Sequence, residues 1–142
     1  MEQQIIFIIV TSSMMFLMAF GLMIKGKRVL RIFPSLFEVQ VVFREKGVSG
    51  GSLGSLMSRM GGTRKGLEVV VTTEELWIKP IPIVAGFSDT LDNVHKIELR
   101  DIINTEVRGN TVLITFKTQS TQVKKVSLIL KAPTAFLEAL KQ

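Results

Sequence analysis

The chain has 142 residues, with 18 Lys or Arg against 12 Asp or Glu and no cysteine. That length holds one ordinary domain, and the missing cysteine excludes a disulfide framework and thiolate metal sites. Four of the cations flank one apolar segment together with Glu2, leaving 14 basic and 11 acidic residues elsewhere, too even a balance for a nucleic-acid-binding face.

The segment is Ile5 to Ile24, IIFIIVTSSMMFLMAFGLMI. It carries no charge, and eleven of its residues are Ile, Leu, Val or Phe while four more are Met. As a helix it spans roughly 30 Å, the thickness of a bilayer's hydrocarbon core. The eleven contribute on the order of −5 kcal/mol to insertion. Thr11, Ser12 and Ser13 can return their hydroxyls to the helix's own carbonyls. A cleaved signal peptide would need a basic leader and an A-x-A site, but Met-Glu-Gln-Gln precedes the segment and no such site follows. A buried core helix would need more protein around it than this chain supplies. The expectation is a retained single-pass anchor. Lys25, Lys27, Arg28 and Arg31 follow it, and the positive-inside rule then puts the amino end outside and the rest in the cytoplasm. Residues 1–31 read as anchor plus basic juxtamembrane segment, and 32–142 as a cytoplasmic domain.

Lys25 to Phe37, KGKRVLRIFPSLF, mixes cations with apolar residues. Such a stretch can lie among anionic headgroups. Equally, it can be helix running on until Pro34 stops it. Glu38 to Arg44 alternates as a first strand, with Val39, Val41 and Phe43 on one face. Gly47 to Gly66 reads as a loop, with seven Gly and four Ser. Within it Leu53, Leu56, Met57 and Met60 fall on one helical face. They form a candidate partner-contact surface, unless the stretch is plain linker. Arg44, Lys46, Arg59, Arg64 and Lys65 surround it as candidate lipid contacts, with Lys25, Lys27, Arg28 and Arg31.

A hairpin is predicted from LEVVVT (67–72) and LWIKPI (76–81), ended by Pro80 and Pro82. The apolar stretch IPIVAGFSDT follows and either folds over the core or meets something apolar outside. Strands are expected over 94–100, around 103–108, over 111–117 after the Gly109-Asn110 turn, and over 124–131. A bend or bulge is expected at Asp101-Ile102. Pro133 opens a closing helix whose apolar face is Phe136, Leu137 and Leu140.

Two stretches carry a resemblance. LEVVVTTEELWIKP, and HKIELRDIINTEVRGNTVLITF with its I-x-L-x-D-I segment, resemble the pleckstrin-homology-like superfold, nearest its GRAM and bacterial families. The likeness spans residues 38–142. It implies a mostly β domain: a seven-stranded sandwich or barrel of two nearly orthogonal sheets, capped by the carboxy-terminal helix. It also implies that ligands meet the loop after the first strand. Glu68 and three valines stand where lipid-binding members carry phosphate-gripping cations, so the resemblance implies diffuse attraction to anionic lipid rather than an inositol-phosphate pocket.

No catalytic constellation emerges. His95 is the single histidine, read as a surface strand residue, and it has no ligand cluster for a metal. Adjacent Glu74 and Glu75 suit solvation better than paired acid–base work. The Gly-rich loop does not satisfy G-x-x-x-x-G-K-[ST]. No cofactor and no enzyme activity are expected. The reading is a binding and scaffolding module at the membrane surface, engaging lipid headgroups or other membrane proteins; the alternative is an accessory subunit of a larger membrane complex.

Overall fold

The computed structural model describes residues 1–54 and 62–141. Helix α1 runs from Glu2 to Val29, and a 3-10 turn carries it to Ile32. It is long and apolar enough to cross a membrane, and none of its most apolar window is buried against protein. The Thr11 hydroxyl donates to Phe7 O at 2.8 Å, satisfied within the helix as expected. The basic stretch after Ile24 is not a separate surface element. It is the last turns of the same helix, which ends at Phe33 because a residue before proline is pushed into extended backbone.

Seven antiparallel strands follow: β1 (Val41–Ser52), β2 (Thr63–Thr72), β3 (Glu75–Pro80), β4 (His95–Glu98), β5 (Ile102–Arg108), β6 (Thr111–Lys117) and β7 (Val123–Ile129). They form one open sheet in the order β4-β3-β2-β1-β7-β6-β5. Both halves face a single core, in which Val48, Val69, Leu76 and Ile78 meet Val112, Ile114, Val126 and Leu128. Two separate sheets are therefore not what forms. The expected bend before β5 is a 3-10 turn over Leu99–Asp101.

The halves join through β1, which pairs with β2 along most of its length and with β7 over Ser49–Ser52. This explains the main correction to the sequence reading. Gly47–Ser52 is strand rather than loop, and Thr63–Gly66 belongs to β2. Glycine is needed where β1 crosses between partners, since a Cβ on Gly50 would sit 2.2 Å from Ser127 O. The composition that read as loose linker is a close backbone crossing.

Between β3 and β4 the chain forms two short helices, α2 (Pro82–Ala85) and α3 (Ser88–Leu91). The closing helix α4 (Pro133–Ala139) inserts Phe136 and Ala139 into the core. Phe136 packs edge-on against Phe43 near the start of β1, with ring centroids 5.5 Å apart. That lies at the opposite end of β1 from Ser52, where the sheet meets α1.

Candidate functional site

The base of α1 is docked onto the sheet domain. Leu22, Val29, Leu30 and Phe33 are partly buried and Gly26 fully, a stripe spaced as one helix face. The approach is backbone to backbone. A Cβ on Gly26 would stand 1.6 Å from Pro82 O, and one on Gly86 would meet Leu22 O at 2.6 Å. Small residues let α1 and α2 close to this distance, as they do between membrane helices. Lys25 Nζ bonds Asp89 Oδ2 at 2.7 Å across the joint.

Below the helix, Phe33 lies on Trp77 with centroids 5.6 Å apart. Trp77 and its cross-strand partner Val70 are fully buried, yet neither belongs to the inner core. Pleat alternation puts both on the outer face, opposite Val69, Val71, Leu76 and Ile78. The segment after α1 thus roofs a second small core. Trp77 Nε1 donates to Glu75 Oε2 at 2.7 Å, which satisfies the indole N–H.

A polar cluster closes the α1 end of the sheet. Asp92 adopts left-handed backbone (φ +45°) at the end of α3. Lys124 Nζ bonds both its carboxylate oxygens at 3.0 Å. His95 Nε2 contacts Asp92 O at 2.7 Å, and the His95 ring meets Phe116 edge-on. Burial by itself raises the Asp92 carboxyl, but the Lys124 bond, the nearby His95 and the Ser52 hydroxyl together hold it below the usual carboxylate range. Burial pushes His95 below the ordinary histidine value and outweighs the pull of Asp92. His95 is 7 % exposed, so its reading as a surface residue is corrected: it turns inward from β4 and packs on Phe116. Beside the cluster lies an open cleft of about 620 Å³, lined by Ser52, Leu53, Gly54, Asp89, Lys124 and Lys125 among others.

The candidate cations separate into distinct settings. Lys27, Arg28 and Arg31 are exposed on the side of the helix away from the domain, while Lys25 is tied to Asp89. Arg44 pairs with Glu68, which Lys79 also contacts at 3.3 Å, so Arg44 belongs to an outer-face ion network. Lys46 is exposed and lies opposite Glu68 in register. Arg64 and Lys65 are exposed at the start of β2 near the α1 end. Lys65 takes positive φ, with its N–H donating to Ser49 Oγ. Leu53 donates its N–H to Lys125 O. Leu56, Met57, Arg59 and Met60 lie outside the described residues. Among the described residues no three His, Asp or Glu side chains gather as a metal site.

No family model matches this chain, and no curated protein is found similar to it.

Sequence reasoning missed the docking of α1 and the outer core. The signal for the second was present. Val69-Val70-Val71 and Leu76-Trp77-Ile78 are unbroken apolar runs, the mark of strands covered on both faces. Gly26 beside Gly86 carried the first, but only a fold brings those two glycines together.

Proposed function

We propose that this protein is a single-pass membrane protein whose sheet domain is a pleckstrin-homology-like, GRAM-like binding module. The amino end faces out and the domain lies in the cytoplasm, its α1 end held against the bilayer. The strand order with a closing helix supports the pleckstrin-homology-like reading. The charge step from Ile24 to Lys25 supports the orientation. The observation that carries the proposal is the backbone contact between Leu22, inside the apolar run, and Gly86 of the domain. A domain bound there sits against the membrane plane rather than on a tether. Held so, it meets lipid headgroups and neighbouring membrane proteins at high effective concentration. Binding rather than catalysis is its work. Lys27, Arg28, Arg31, Arg64, Lys65 and Lys125 are the exposed cations placed for anionic headgroups.

The test uses the full chain reconstituted in vesicles of neutral lipid, with and without phosphatidylserine. Anionic lipid should slow amide exchange around Arg64, Lys65 and Lys125, and added salt should reverse the effect. Exchange indifferent to lipid charge would remove lipid headgroups as the ligand and leave neighbouring proteins.

A further inference from the structure

The joint between α1 and the domain fixes a depth as well as a contact. Pro82 lies against Gly26 and Gly86 against Leu22. Gly86 N stands 3.0 Å from the Cβ position of Gly26, so the Pro82–Gly86 turn lies across the Gly26–Leu22 step of α1 with Gly86 at its apolar end. Leu22 lies about 4.5 Å above Lys25 along the helix axis, within the uncharged run. Phe87 follows directly and is 43 % exposed; Ile83 and Ile81 are 38 % and 48 % exposed. Asp89 bonds the Lys25 ammonium. The stretch thus brings Gly86, and Phe87 next to it, to the last apolar turn of α1, with Ile81 and Ile83 beside Pro82 at the Gly26 level and a carboxylate bonded to the first cation.

From this we infer a second membrane contact: residues Ile81 to Phe87 lie in the bilayer interface beside the span, with Phe87 the deepest and Ile83 nearer the headgroups. The inference rests on the anchor reading given above. Lipid is the occupant because this patch adjoins the apolar run of α1 at Leu22, with no charged residue between Ile81 and Ser88. A depth of roughly 5 Å is that of amphipathic elements lying in the headgroup–acyl boundary. The geometry also accounts for an apolar connection where a polar loop is usual: its outward face is solvated by lipid, not water. The domain is then held at two points, a span and a wedge, which fixes its rotation about the helix axis as well as its height.

The chain has no cysteine, so a single substitution gives a single labelling site. Ile83→Cys and Phe87→Cys variants of the full chain, each carrying an environment-sensitive fluorophore, are reconstituted in phosphatidylcholine vesicles. Met14→Cys serves as the reference within the span and Val107→Cys as the reference on β5. Labels at 83 and 87 should emit blue-shifted light and be quenched by lipid spin-labelled near the top of the acyl chain; the label at 107 should do neither. Trp77 emission at the unsubstituted wavelength shows that each variant keeps its fold. Where Phe87→Cys alters it, the Ile83 site decides. Quenching at 14 without quenching at 83 or 87 overturns the wedge and leaves the anchor standing. Quenching at none of the three overturns both. A blue shift at 83 and 87 without lipid quenching makes the patch a protein interface and also overturns the wedge.

Discussion

Gly26→Ala puts the joint between α1 and the sheet domain to a direct test. The added Cβ would lie 1.6 Å from Pro82 O, whereas real Cβ contacts essentially never fall under 3.0 Å. Helix and loop must part by about 1.4 Å at a place where backbone, not a flexible side chain, is the obstacle. Overpacking of this kind costs about 1–3 kcal/mol, or roughly 5- to 150-fold in a local opening equilibrium. The amides of Ala85, Gly86 and Phe87, bonded to Ile81 O, Pro82 O and Val84 O, should therefore lose hydrogen-exchange protection by about that factor. Inner-core amides such as those of Val69 and Ile114 should keep theirs. Gly21→Ala is the control: its Cβ would have nothing within 4 Å, and it should change neither set. If Gly26→Ala and Gly21→Ala leave residues 82–91 equally protected, the docking of α1 is wrong.

Two further outcomes follow from the same geometry. Phe33→Ala opens the outer core over Trp77, the single tryptophan; thermal unfolding should register a loss of about 1–2 kcal/mol and Trp77 emission should move to the red, and unmoved emission would mean that Phe33 does not cover the indole. The second concerns pH. His95 titrates lower folded than unfolded, so its contribution is complete above about 6.5, the ordinary histidine value, and drains away as pH falls below it. Asp92, also lowered, adds a further loss only as pH falls below the ordinary aspartate value of 3.8. Melting temperature should thus drop between neutral pH and pH 5, and His95→Gln should flatten that slope; an unchanged slope in the variant would place the acid sensitivity elsewhere.

Much of the architecture was legible from local signals. An uncharged twenty-residue run, clean alternation over 111–117 and proline at the first turn of the closing helix each write their element within a few residues. What escaped the sequence is nonlocal. Gly50 and Gly51 look like linker until β7 lies across them. His95 looks exposed until Phe116 arrives from another strand. Arg44 gives no sign of an ion network until Glu68 is paired beside it. In each case residue type names what a side chain can do, and the partner that decides what it does stands tens of positions away.

The unbroken run of α1 through the 3-10 turn to Phe33, clamped at Gly26 and again at Trp77, has a mechanical consequence. Transmembrane helices answer a change in bilayer thickness by tilting. With the domain fixed to the helix at two points, any tilt of α1 in the proposed bilayer setting would swing the whole sheet like the head of a rigid lever. In the proposed anchored arrangement, membrane thickness would thereby be turned into domain orientation, and the cleft by Lys124 and Lys125 would swing closer to or further from the headgroups as the bilayer thins or thickens.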